Sequence, residues 1–362
     1  MDLARGRRAA FPALLLAVSL ATADEAATDP VRAAEPARLA ARGLLVAIAT
    51  AGQRLVAVGD RGIIVLSDER GASWRQAEYV PTQALLTGVC FLDAQHGVAV
   101  GHDEVILTTA DAGAHWQRRH YAPEAQRPLL DVWCGTGGQA IAVGAYSAYF
   151  TSADGGASWH AVKFNPASPA SPAARSGSRA PAAPPPTAAD AADEQGAGGG
   201  YHLNRIVGGA KGRLYIAAEA GHLYASDDQG ASWRALASPY EGSFFGVLPL
   251  ADGTLLAFGL RGHLYRSADA GTSWQAIETS TVAMLTGAAP FGPDAIAVVG
   301  LAGVVLVSRD GGRSFALQQQ ADRSGLSGVS PAGDARLAVV GEDGARLIVL
   351  AGAGGVAGDA AP

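Results

Sequence analysis

The residues most open to a chemical reading are five aspartates that recur in one short pattern: Asp111, Asp154, Asp228, Asp269 and Asp310. Each stands between a Ser or Thr two residues before it and a Gly two residues after it, and an aromatic closes the pattern. A further copy, Ser67–Trp74, opens the series with Asp68 and Glu69 at the acidic place. Two carboxylates flanking one bond would be glycosidase machinery. The spacing argues otherwise. The closing aromatics Trp74, Trp116, Trp159, Trp233, Trp274 and Phe315 fall 41–43 residues apart save for one interval of 74, so each acid sits in its own repeat. The pattern suits a turn: the carboxylate accepts hydrogen bonds from turn N–H groups, the Gly takes a positive φ, and the hydroxyl closes a second bond. The aromatic is expected between neighbouring sheets, where burying ~200 Å² of indole stabilises by up to roughly 5 kcal/mol.

Other reactive side chains are dispersed. The histidines at 96, 102, 115, 120, 160, 202, 222 and 263 show no metal-ligand spacing. His222 and His263 share one repeat position, Gly-His-Leu-Tyr, which reads as strand-edge packing. Gly196–Gly200 lacks the Lys and Ser/Thr of a phosphate loop. No metal or cofactor is expected. Cys90 and Cys134 occupy matching positions of adjacent repeats. A disulfide needs Cα atoms within about 7 Å, and matching positions on neighbouring units are expected farther apart, which favours two buried thiols. A net charge of −6 speaks against a nucleic-acid surface.

These residues must be positioned by the repeat itself. Glycine is abundant at 47 residues, and only 17% of the chain is charged, a mixture suited to short strands and tight turns rather than long helices. Each unit reads as four short apolar or alternating runs separated by Gly, Asp or Asn, as in Phe245–Leu250, Thr254–Gly259 and His263–Ser267 before the next box. Four strands in about 42 residues is a propeller blade. A seventh unit, Leu326–Leu350, has no box and no evident fourth strand, and the segment around Pro36–Arg42 is a candidate to supply it. The expected fold is all-β: a seven-bladed β-propeller of four-stranded blades with Asp-box turns, spanning 43–350. The long interval contains the Ala/Pro/Gly-rich stretch 165–200 between blades 3 and 4, which reads as a disordered insert. Lengthening a loop from about 10 to about 40 residues costs only about 1.2 kcal/mol of closure entropy. Residues 24–42 read as an N-terminal segment and 351–362 as a flexible tail. At the start of the chain, Arg5, Arg7 and Arg8 precede the apolar Ala9–Leu20 and the small residues Ala21–Ala23, the pattern of a signal peptide over 1–23. A dozen apolar residues fall short of the ~20 that span a bilayer. The mature protein is therefore expected outside the cytoplasm, periplasmic or otherwise exported, and not membrane-spanning.

The box pattern resembles the bacterial neuraminidase repeat of sialidases, some glucanases and several non-enzymatic propellers. The longer repeat is narrower. Leu86–Phe91, Gly97–Gly101 and Val105–Thr109 followed by the box are similar to the photosystem II stability and assembly factor family, over about Gly43–Leu350 apart from the insert. That resemblance implies a propeller that assists assembly of a membrane complex from its lumenal side, although similar proteins occur in bacteria without photosynthesis. Fold alone does not carry function. Likeness to a sialidase would imply an arginine cluster, a Tyr-Glu nucleophile and an acid Asp near the channel. Aligning the innermost strands gives one column of Val46, Thr87, Asp131, Asn204, Phe245, Thr286 and Ser327, and a second of Ala47, Gly88, Val132, Arg205, Gly246, Gly287 and Gly328. They hold one acid and one arginine, which can pair with each other or with backbone groups. An enzyme is not expected; the alternative reading is a glycan-acting or glycan-binding propeller.

Binding is expected on the face opposite the boxes, where the turns between second and third strands meet the connections to the next blade. Arg61 and Arg261 lie in such turns, and Arg75, Arg118, Arg119, Tyr121, Arg127 and Tyr240 in connections. Arg and Tyr are favoured interface anchors. The expected partner is a protein, the extracytoplasmic part of a membrane protein or complex.

Overall fold

The computed structural model describes residues 31–168, 200–333 and 335–350. The signal segment at 1–23, residues 169–199 of the insert and the tail at 351–362 lie outside the described residues.

Among the described residues seven antiparallel sheets follow one another along the chain, six of four strands and the last of three, each in simple sequential order. This is the seven-bladed propeller. The innermost strands are Leu45–Ala51, Leu86–Phe91, Leu129–Cys134, Leu203–Gly208, Phe244–Pro249, Leu285–Pro290 and Leu326–Pro331. The second strands read as unbroken small apolar runs, as in Gly97–Gly101, Ala140–Gly144 and Ile296–Gly300, and every residue of these three is buried. Such runs suit strands covered on both faces, here by the neighbouring blades. The outermost strands are only two to four residues long, from Arg75–Gln76 to Ala316–Gln319.

Each box closes on itself. In blade 3 the Ser152 hydroxyl donates to Asp154 (2.8 Å) and accepts from Gly156 N–H (2.9 Å), while Asp154 accepts from the amide and hydroxyl of Ser158 at 3.0 and 2.6 Å. Blades 4, 5 and 6 repeat this geometry around Asp228, Asp269 and Asp310. In blade 2 His115 replaces the second serine, and its ring nitrogen lies 2.7 Å from Asp111. In blade 1 Glu69 takes the acid's place and accepts from Ser73 (2.9 Å). The box glycine needs its positive φ: Gly156 stands at +86°, and a Cβ there would come within 2.9 Å of Thr108 on the preceding blade. Of the box aromatics, Trp116 and Trp233 are buried, whereas Trp74, Trp159, Trp274 and Phe315 are half-buried.

Every innermost strand carries a bulge near its start. The bulged residues are Val46, Thr87, Leu130, Asn204, Phe245, Thr286 and Ser327, so blade 3 departs from the sequence alignment by one position. Asp131 belongs to the following column, with Gly88, Arg205 and Gly246. The four polar bulge residues bind across to the next blade. Thr87 donates to Leu129 C=O, Asn204 to Phe244 C=O, Thr286 to Leu326 C=O and Ser327 to Leu45 C=O, at 2.7–2.8 Å. The last of these closes the ring, joining blade 7 to blade 1. The segment considered as a ring-closing strand forms instead a 3-10 turn, Ala40–Arg42. Ahead of it the Gln76 side chain brackets Glu35 C=O and Ala37 N–H, which holds that stretch along blade 1.

The cysteines overturn the expectation of free thiols: Cys90 and Cys134 form a disulfide with Cα atoms 5.7 Å apart. Innermost strands converge on the axis more tightly than the blades as a whole. A Cβ on Gly88 would meet the Asp131 Cα at 2.9 Å. At that radius neighbouring strands come within disulfide reach, and the one-position shift of blade 3 sets Cys134 level with Phe91 rather than with Cys90, since Cys134 pairs with Ala140 as Phe91 pairs with Gly97.

Candidate partner-docking face

The face opposite the boxes is built from one repeated device. In five of the seven blades the chain leaves the second strand through a one-turn 3-10 segment, at Asp60–Gly62, His102–Glu104, Ala145–Ser147, Leu260–Gly262 and Leu301–Gly303. Its central residue is left-handed although it is not glycine: Arg61, Asp103, Tyr146, Arg261 and Ala302 have φ of 51–59°. Side chains resist that region at a cost of roughly 1–2 kcal/mol. Backbone bonds hold it. His102 N–H donates to Leu85 C=O, Ala145 N–H to Pro128 C=O, Leu260 N–H to Ser243 C=O and Leu301 N–H to Met284 C=O, all 2.9–3.1 Å. Turn and incoming connection thus form a single rigid ridge above each blade.

The ridges present apolar surface. Leu39, Leu44, Tyr146, Tyr201, Val282 and Leu301 are all exposed on this face, Val282 by 85%. Large exposed apolar residues gathered on one side mark interaction surfaces. Blades 3 to 5 surround the expected Tyr240 with further rings, among them Tyr201 and three histidines that sequence reasoning did not assign to the face. Tyr201 stacks on His222 at 3.9 Å between centroids, Tyr240 lies 4.3 Å from His263, and Tyr146 meets His202 edge-on at 5.0 Å. The shared Gly-His-Leu-Tyr position was the available signal. The stacking is visible only once the connections fold back over it. A groove of about 730 Å³ runs between His222 and Tyr240.

The eight expected anchors do not form one patch. Arg61 and Arg261 project from turn tips, with Arg61 3.2 Å from Asp60. Tyr240 lines the groove. Arg118 lies over the Tyr121 ring at 4.6 Å. The others are engaged elsewhere. Arg75 starts the outermost strand at its box end, 3.8 Å from Asp68, and so belongs to the opposite side. Arg119 donates to Thr108 (2.8 Å) and lines a cleft beside the boxes. Arg127 lies 2.8 Å from the buried Glu104 carboxylate, whose other oxygen is 3.2 Å from His120. Glu104 carries no apolar period and no motif, so its burial could not be read. It sits in a left-handed turn at φ 50°, and the Arg127 and His120 side chains reach down to it from the connection.

The enzymatic alternative can be tested on the channel and the cleft. The channel cavity measures about 120 Å³, the space of about four waters. Arg205 spans it, 3.8 Å from Asp131 and donating to Thr286 C=O at 3.2 Å. Asp131 also accepts from Ile206 N–H (2.9 Å). Burial raises its pKa above the ordinary carboxylate value, against the opposing pull of Arg205 and the Ile206 amide. Pairing with both a side chain and a backbone group is the arrangement its surroundings had suggested. The box-side cleft, about 700 Å³, is lined by Asp111 and Asp154 from adjacent blades. Both carboxylates are spent on their own turns: the Ser158 hydroxyl and amide, then the Ser152 hydroxyl, lower Asp154 to about 2. Neither is a proton donor near neutrality. Among the described residues, no cluster of His, Cys, Asp or Glu could hold a metal ion, and no helix is long and apolar enough to cross a membrane.

Residues 66–183 match the family model of the photosynthesis system II assembly factor YCF48. No curated protein matches the sequence. Among solved structures, "YCF48 bound to D1 peptide" superposes with a TM-score of 0.63 at 16% identity, over 89% of this chain and 97% of that one. YCF48 from Cyanidioschyzon merolae gives 0.63 at 15%, over 86% and 96%. The xyloglucanase of family GH74 from Xanthomonas campestris gives 0.65 at 15%, over 90% of this chain and 55% of that one. At such identities the likeness is one of fold. The resemblance read from the repeat nevertheless holds: the chain is a propeller similar to the photosystem II assembly factors.

Proposed function

We propose that this protein is an exported, non-enzymatic scaffold that holds a protein partner on the ridge face and assists the assembly or stability of a membrane-associated complex. The observation that carries the reading is the ridge face itself, where exposed apolar residues, stacked aromatics and the Arg61 and Arg261 tips stand on a backbone fixed by hydrogen bonds. A preorganised surface of this kind loses little conformational entropy on docking. The YCF48 propeller, solved with a D1 peptide bound, supports a polypeptide partner. An extracytoplasmic location follows from the basic and apolar pattern of residues 1–23. The glycan-acting reading has less support, because Arg205 spans the small channel cavity and the box acids are committed to their turns.

Purification from the native cell envelope tests the proposal. The wild-type chain is expected to retain a co-eluting envelope protein, and a variant carrying Tyr146→Ala, Val282→Asp and Arg261→Glu to lose it with an unchanged melting curve. Retention of the same partner by the folded variant would reject this face. Release of sugar from an envelope glycan by the pure protein would favour the hydrolase.

A further inference from the structure

Blade 7 is one strand short. Its strands Leu326–Pro331, Arg336–Gly341 and Gly344–Val349 pair in order, and among the described residues no strand pairs with the outer edge of Gly344–Val349. The other six blades cover that edge with a strand of two to four residues. A cleft of about 490 Å³ lies in this place, lined by Ala345, Arg346 and Leu347 on one side and by Ser73 and Trp74 of blade 1 on the other. The turn Ala40–Arg42 closes one end of it: a Cβ on Gly344 would collide with Ala41 C=O.

We infer that this edge takes an extended segment of a partner polypeptide as the missing fourth strand of blade 7. Main-chain hydrogen bonds give such strand addition its affinity. The complete blades supply the register. Leu66 and Val65 face Arg75 and Gln76, and Ala77 N–H donates to Ile64 C=O (2.9 Å). Blades 3 and 4 repeat the last bond, from Val162 to Tyr149 and from Leu236 to Leu223. Matched through the second strand, Leu347 and Arg346 receive the incoming residues and Ala345 C=O accepts the closing bond. The chemistry is a short alternating segment with a polar residue facing outward and a small apolar one inward. It needs no aromatic of its own, because the buried Leu350 already belongs to the core cluster of Val307 and Ile348. The chain's own continuation, Ala351–Pro362, is mostly Ala and Gly with one β-branched residue, a composition poor in strand formers. An unpaired edge is an invitation to another chain unless something blunts it, and Val349 stands 71% exposed beside it.

The test uses the full chain and a synthetic peptide copying residues 232–238, which contain the blade 4 outer strand. Hydrogen exchange at residues 345–349 is expected to slow by about tenfold or more with the peptide. The same peptide with Pro at the Leu236 position, which removes the N–H that donates to Leu223 C=O in blade 4, is expected to leave it unchanged. A chain in which 351–362 is replaced by the sequence of residues 309–320 fills its own edge and is expected to lose the response. No slowing, or equal slowing by the proline peptide, overturns the inference. So does protection already present without peptide and lost on truncation after Leu350, which would give the edge to the chain's own end. The ridge-face variant leaves all these outcomes unchanged, so failure here and failure of the docking-face reading are separable.

Discussion

At the scale of single residues, the box is a hydrogen-bond device whose weakest point is its hydroxyl. Ser226 is buried, donates to Asp228 and accepts from the amides of Asp228 and Gly230. Ser226→Ala is expected to deprive the amides of Asp228 and Gly230 of this acceptor and to cost about 1–3 kcal/mol, read as a lower urea midpoint with an unchanged slope. The acids carry a pH dependence. Asp154 is held at about 2 by Ser158 and Ser152, and Asp310 also stands at about 2, its burial outweighed by the hydroxyl and amide of Ser314. A depressed folded pKa means that their stabilisation is complete above the ordinary value of 3.8 and disappears as pH falls toward 2. Asp131 acts with the opposite sign. Its raised pKa makes its share fullest below the ordinary value and lost as pH rises. Asp131→Asn is therefore expected to flatten that component and keep an acceptor for Ile206 N–H, whereas Asp131→Ala orphans the amide. Melting curves between pH 2 and 7 distinguish the two.

At the scale of elements, the strands were legible because their period is written in apolar runs and box aromatics. What lay hidden was distance. Nothing in the spacing of Cys90 and Cys134 says how closely innermost strands approach, and that approach decides between thiols and a disulfide. The sequence of blade 3 also lacks the small residue that marks the channel column in blades 1, 2, 5, 6 and 7, so Asp131 was placed one position early. The face proposed for docking gathers only some of the residues expected on it, since a side chain's sequence position does not show which way it leans. Arg127 leans inward to Glu104, and Arg75 outward to Asp68. The disulfide closes a loop across a separation of 44 residues. In the chain-entropy picture this contributes up to about 4 kcal/mol. Reductant is expected to lower the melting temperature of the wild type and to leave a Cys90→Ser, Cys134→Ser variant unaffected.

At the scale of the whole molecule, blades 7 and 1 meet through side-chain and core packing together with the bond from Ser327 to Leu45. Ser327→Ala is expected to weaken the closure by about 0.5–1.5 kcal/mol and to raise exchange at both terminal blades, measured by hydrogen–deuterium exchange, more than at blade 4.

The left-handed turn tips have a consequence of their own. Arg61, Asp103, Tyr146, Arg261 and Ala302 differ in charge, size and polarity, yet share one backbone shape. The summit of each ridge therefore tolerates new chemistry without new architecture. If this face docks partners as proposed, a lineage of such proteins can change its clientele by rewriting a handful of letters, while the ring beneath stays as it was.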